Sequence, residues 1–168
     1  FTHDDEVDLS ALRAVVRHVV QGGVDVLVPL GTTGEAVTLD AGERDAVIAT
    51  CCEEAGGRPV VAGCGSPSTR QAAAFVRRAR ELGASGALVV TPYYNKPTQE
   101  GIVAHYQAVA VAAPDFPLAA YNVPGRTGVA SPIPKPGAMS RAVFRYGSHG
   151  GLRSQRNRRR GPETCRSS

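Results

Sequence analysis

The 168-residue chain carries only two lysines, Lys96 and Lys135. No lysine follows its first glycine-rich turn, Gly31-Thr32-Thr33-Gly34-Glu35, so that turn is not a Walker-type nucleotide loop. Cysteine is also sparse. The four cysteines form no C-x-x-C pair, and no histidines cluster at ligand spacing. Neither a metal site nor a disulfide framework is expected, and no cofactor is implied. Cys51, Cys52 and Cys64 read as free thiols among apolar neighbours. No apolar run reaches the ~18 residues of a membrane helix. No basic stretch leading into an apolar one opens the sequence, so no signal peptide and a cytoplasmic location are expected.

Acidic charge is missing from one end. Residues 131–168 hold 9 Lys+Arg against 1 Asp+Glu, a balance of +8. Residues 1–130 hold 10 against 14, a balance of −4, which together give the formal net charge of +4. The basic character therefore belongs to the tail, where Arg158-Arg159-Arg160 is a solid run. Ser131-Pro132-Ile133-Pro134-Lys135-Pro136 blocks helix, because proline removes the backbone donor and clashes with the preceding turn. Few large apolar side chains follow, so residues 131–168 are expected to be an irregular, disordered tail. Its Arg, Gly, Pro and Ser content is also what G+C-rich codons give when read out of frame. Arginines can neutralise phosphates, but the tail lacks interleaved aromatics and any nucleic-acid-binding motif, so nucleic acid is an unlikely partner.

Residues 1–130 alternate helix and strand signals. Leu9, Leu12, Val15, Val16, Val19 and Val20 recur at helical spacing and stop at Gly22-Gly23. Residues 24–30 form an apolar run suited to a buried parallel strand. Asp40 with Glu43 three residues on opens a second helix through a capping box, which ends near Gly56-Gly57. Residues 59–62 are the next strand. A helix from Ser68 or Thr69 to Leu82 follows, then a strand at 87–90, a helix from Thr98 or Gln99 to Ala113, and a strand at 118–122. Each strand–helix unit spans about 30 residues, the size of a βαβ unit. The fold class is therefore α/β. The pattern suits about strands two to five of a TIM (β/α)8 barrel, although an independent doubly wound sheet would also fit it.

Parallel strands end on one side, so the turns that follow them share a rim. Three turns carry reactive groups. Gly31–Glu35 presents Thr32 and Thr33 in a glycine-bracketed turn that can bring backbone N–H groups up to an anion. Tyr93-Tyr94 follows the strand at 87–90. Tyr121 ends the last strand, and Arg126 stands in the Pro-Gly-Arg turn beyond it as a planar fork for a carboxylate. A phenol titrates near ~10 and moves protons only when perturbed or wired to other hydroxyls. Thr32, Tyr94 and Tyr121 could form such a chain.

Together, G-T-T-G-E, V-T-P-Y-Y-N-K-P-T-Q-E-G and Y-N-V-P-G-R-T-G resemble the dihydrodipicolinate synthase family, over roughly residues 1–130. The wider superfamily of class I pyruvate aldolases includes N-acetylneuraminate lyase, which shares the first turn and the tyrosines. The arginine in P-G-R-T-G distinguishes the synthase. The resemblance implies a lyase of lysine and diaminopimelate biosynthesis. Pyruvate forms a Schiff base with a lysine, and its enamine attacks L-aspartate semialdehyde to give 4-hydroxy-tetrahydrodipicolinate. Thr32, Tyr94 and Tyr121 match the proton-relay trio. Thr33 matches a contact to the pyruvate carboxylate, and Arg126 matches the residue holding the semialdehyde carboxylate. Tyr93 matches an interface position where many members bind lysine as feedback inhibitor. The Tyr94 match reaches a neighbouring subunit's site, which implies a homo-oligomer.

Two parts of the family pattern are missing. The family has a strand before Thr2, of which Phe1 would be the end. Its Schiff-base lysine stands on the strand after the one bearing Tyr121, in a segment like V-V-G-I-K, and no such segment occurs here. The chain is therefore expected to be a half barrel without condensing activity. The alternative reading is a related pyruvate aldolase, or a non-catalytic fragment with a polyanion-binding tail.

Overall fold

A computed structural model describes residues 1–130. The expected irregular tail at 131–168 lies outside the described residues. The first helix, α1 (Leu9–Gln21), is capped by Asp8, whose side chain accepts from the Ala11 N–H. Helix α2 (Ala41–Glu54) starts at Asp40 with the full capping box: Asp40 Oδ1 accepts from Glu43 N at 2.8 Å and Glu43 Oε2 from Asp40 N at 2.9 Å. Ser68 caps α3 (Thr69–Glu81) and Thr98 caps α4 (Gln99–Ala112). Each cap satisfies an amide that the first turn leaves without a partner.

Strands β1 (Val61–Gly63), β2 (Gly86–Val90) and β3 (Leu118–Tyr121) form one parallel sheet in the order β1-β2-β3. The register pairs Ala62 with Ala87 and Leu88 with Ala119. The apolar core gathers Leu27, Val60, Val76, Val89, Ile102 and Val109 between sheet and helices. Helix α3 packs on α4, and His105 there places Nδ1 2.9 Å from Thr69 Oγ1. Burial disfavours the charged ring and lowers the His105 pKa.

Residues 24–30 correct one expectation. They do not form a strand; a single parallel bridge joins Leu27 to Val60. The segment still runs beside β1, through Leu27 N to Pro59 O (3.0 Å), Val61 N to Leu27 O (2.9 Å) and Gly63 N to Pro29 O (2.9 Å). Pro29 has no N–H to extend a ladder, and Leu30 adopts φ 59°, which turns the chain out of extended conformation. The next strand is also displaced, to Val61–Gly63 rather than 59–62, because Pro59 enters only through its carbonyl. Two short elements lie beyond the sequence reading: a 3-10 turn at Thr32–Gly34 and a one-turn helix, α5 (Pro124–Thr127), with proline at its start.

Candidate functional site

The three turns do converge. A cavity of about 350 Å³ opens at the carboxyl ends of the strands. It is lined by Thr32 from the first turn, Tyr93 from the second, and Tyr121 and Arg126 from the third. Thr32 sits in the 3-10 turn, whose Gly31 N-cap is extended and whose Glu35 C-cap is left-handed at φ 50°. Backbone bonds from Gly34 N to Gly31 O (3.0 Å) and from Glu35 N to Thr32 O (3.3 Å) tighten it. Thr33 lies in the same turn but outside the cavity lining.

Tyr93 is held by the end of β2. Thr91 is fully buried, with its hydroxyl 3.3 Å from the Tyr106 hydroxyl, and Tyr106 in turn donates to the Val89 carbonyl at 3.1 Å. Burial raises the Tyr106 pKa, against a smaller opposing effect of the Thr91 bond, so this phenol acts as a fixed donor. The chain then turns sharply: Asn95 N reaches Tyr93 O at 2.8 Å, with Tyr94 at φ 68° and Lys96 at φ 45°. That turn places Tyr93 on the cavity and sends Tyr94 away from it, 90% exposed. The expected trio is therefore only partly assembled within one chain. Thr32 and Tyr121 share the cavity, and Tyr94 stands outside it.

Arg126 lies in α5, exposed at the cavity edge. The helix is pinned by Thr127, which is buried and places Oγ1 3.1 Å from the Val123 carbonyl and 2.7 Å from that of Val129. Lys96 lies across Gly128: a Cβ there would stand 3.0 Å from Lys96 Cε. Lys96 is exposed and outside the cavity lining. Burial pushes the Cys64 thiol up to about 12 and the Cys51 thiol to about 11, which disfavours the thiolate at both. Among the described residues, no three His, Cys, Asp or Glu side chains gather as a metal site.

Sequence reasoning missed Arg44. It stands on α2 within a charged stretch, yet it is 8% exposed and lines the cavity. Its guanidinium donates to the Ala36 carbonyl at 2.9 Å and the Gly63 carbonyl at 2.8 Å, and lies 4.1 Å from the centre of the Phe75 ring. Arg44 thus ties the turn after Thr32 to the end of β1. Desolvation lowers its pKa. No signal local to residues 41–54 marks it, because its burial depends on Phe75 of α3 and the end of β1.

The sequence model of the dihydrodipicolinate synthetase family matches residues 1–136. The 4-hydroxy-tetrahydrodipicolinate synthase of Geotalea daltonii is 55% identical over 124 residues, which is 73% of this chain and 42% of that protein. The synthase of Methanospirillum hungatei is 47% identical over 127 residues, covering 75% of this chain and 43% of its own. Among solved structures, the chloride-inhibited dihydrodipicolinate synthase of Acinetobacter baumannii, complexed with pyruvate, superposes with TM-score 0.75 at 46% identity, over 77% of this chain and 45% of that one. The Cyanidioschyzon merolae enzyme with lysine bound gives TM-score 0.73 at 41% identity, over 75% and 43%. The chain thus spans less than half the length of these relatives. With its match over residues 1–136 and this level of identity, the chain belongs to the dihydrodipicolinate synthetase family.

Proposed function

We propose that residues 1–130 correspond to the second to fifth strands, with their helices, of a (β/α)8 barrel lyase that condenses pyruvate with L-aspartate semialdehyde, residues 24–30 standing in the second strand's place through the single Leu27–Val60 bridge. The observation that carries this reading is the single cavity shared by Thr32, Tyr121 and Arg126, drawn from separate strand ends. Thr32 and Tyr121 place two hydroxyls where a substrate carbonyl and its protons would lie. Arg126, exposed at the cavity edge, suits the carboxylate of the incoming semialdehyde, and Thr33 beside Thr32 suits that of pyruvate. The 90% exposure of Tyr94 supports a role across a subunit boundary, where its hydroxyl completes the trio of a neighbouring copy. Tyr93, on the cavity wall, belongs to the effector-facing side.

Among the described residues no lysine lines the cavity for the covalent step. Lys96 lies on an exposed turn across Gly128, and Lys135 stands between two prolines outside the described residues. A Schiff base needs a nucleophilic amine directed at the bound carbonyl. Two measurements on the full chain test the proposal. Pyruvate should shift the backbone NMR signals of Gly31–Glu35 and Tyr121. Succinate semialdehyde should shift those around Arg126, and Arg126→Ala should weaken only the latter. Pyruvate with borohydride should leave no reduced adduct in the mass spectrum. Pyruvate shifts confined to another face would refute the site, and stoichiometric labelling of Lys96 or Lys135 would refute the inactivity.

A further inference from the structure

On the helix side of the sheet, away from the cavity, two hydroxyls meet within the apolar core. Val89 and Thr91 stand two residues apart along β2 and its extension, so they share the face that α4 covers, and both are fully buried. Tyr106 reaches them from α4 and is itself buried. Its hydroxyl donates to the Val89 carbonyl at 3.1 Å, so the Thr91 hydroxyl, 3.3 Å away, donates to it. Ile102 and Val109 of the same helix belong to the surrounding core. Two apolar side chains of the same shape would pack there without desolvating a polar group. What the hydroxyl pair adds is a fixed position, because a fully satisfied buried network admits one geometry.

That position is the root of two cavity tyrosines. Thr91 N donates to the Tyr121 carbonyl at 3.1 Å, one rung beyond the Val90–Tyr121 pair that ends the β2–β3 register. Pro92 follows and has no N–H to add a rung, so Thr91 is the last ladder donor before Tyr93. We propose that Tyr106 and Thr91 are positioning residues for the cavity. Their paired hydroxyls set the end of β2, and through it the placing of Tyr93 and Tyr121 on the cavity wall. Neither Thr91 nor Tyr106 lines the cavity, so both act through those tyrosines and not on a bound molecule. In its bearing on pyruvate the proposal rests on the condensation reading above, whereas the placing of the tyrosines is independent of it.

The test uses the full chain with ¹³C-labelled tyrosine and ¹⁵N-labelled backbone. Tyr106→Phe and Thr91→Val each keep the shape of the side chain and remove one hydroxyl. Either should displace or broaden the ring signals of Tyr93 and Tyr121, and leave in place those of Tyr94, which is 90% exposed. In Tyr106→Phe the Thr91 amide should exchange about fivefold faster and pyruvate should bind about fivefold more weakly, the equivalent of one net hydrogen bond. The double variant leaves no buried hydroxyl unpaired, so its resistance to urea should recover. Its ring signals should stay displaced all the same, which a purely structural pair does not predict. Thr91→Ser keeps the hydroxyl, and Ile102→Val loosens the same helix without removing one; both should leave the ring signals in place. Unmoved Tyr93 and Tyr121 signals in folded Tyr106→Phe overturn the proposal. So does their return to the original positions in the double variant, or an equal displacement in Ile102→Val. Absence of any pyruvate response in the unaltered chain counts against the condensation reading alone, since the ring signals need no ligand.

Discussion

Gly63 and Gly65 set how closely the strand ends can approach, and replacing either by alanine should be costly. A Cβ on Gly63 would stand 2.6 Å from the Leu30 carbonyl carbon and 3.2 Å from Leu30 Cβ, and would overlap the Leu30 oxygen. Ordinary carbon contacts need about 3.5–4.0 Å. Relief requires the chain at 27–30 to move off β1. That movement strains or breaks the bonds from Leu27 N to Pro59 O, Val61 N to Leu27 O and Gly63 N to Pro29 O. At about 1 kcal/mol net each, with overpacking strain of about 1–3 kcal/mol added, the cost is roughly 4–6 kcal/mol. Gly65→Ala should behave alike, since its Cβ would meet Val90 N at 2.7 Å and Val90 Cβ at 3.2 Å. Gly34 provides the control: a Cβ there has nothing within 4 Å, and Gly34→Ala should change stability by no more than about 0.5 kcal/mol. Urea unfolding followed by far-UV circular dichroism measures all three. A Gly63→Ala midpoint matching that of Gly34→Ala would refute the argument that the rim's compactness rests on these contacts.

Ile102 is 1% exposed in the core between α4 and the sheet, so Ile102→Ala should cost about 2–4 kcal/mol in the same assay, and a loss below 1 kcal/mol would contradict its packing. Glu54 accepts from Arg17 and Arg13, which hold its carboxyl down at about 2 from an ordinary 4.5. Its folded pKa lies below the unfolded one, so the stabilisation is present above pH 4.5 and is lost as pH falls through 2. Glu54→Gln should therefore flatten the acid limb of the stability profile in that window and leave its neutral-to-alkaline shape unchanged; identical acid limbs would count against the ion pairs. High salt should shrink the difference between the two proteins, because Arg17 is largely exposed.

Much of the fold was legible because its signals are local. Asp40 with Glu43, Ser68, Thr98 and the glycines at 22–23 and 56–57 act within a few residues, and the helices begin and end where those residues stand. Residues 24–30 failed for the complementary reason. Their apolar run suits a strand buried throughout, yet only Leu27 and Leu30 are buried and Val28 is exposed; a ladder needs a donor at each alternate position, and Pro29 and the left-handed Leu30 remove the regularity. An apolar run can be read from composition, whereas ladder formation is decided by two segments jointly.

The site divides along the same line. Thr32, Tyr93, Tyr121 and Arg126 were legible because each follows an apolar run, and parallel strands bring such turns to one rim. What the turns do next was not legible. Tyr93 and Tyr94 are adjacent and chemically identical, and only the φ of 68° at Tyr94 sends one to the cavity and the other to solvent. Arg44 was hidden more deeply. In sequence it is one charge among Glu43, Arg44 and Asp45, as a solvated helix face would be. It becomes a cavity residue only because Phe75, Ala36 and Gly63 arrive from other parts of the chain and surround it. A buried cation with neutral partners is thus a tertiary property. It is also the feature that separates this cavity's charge from what its three turns alone suggest, since it sets a second, buried guanidinium beside that of Arg126 on the lining.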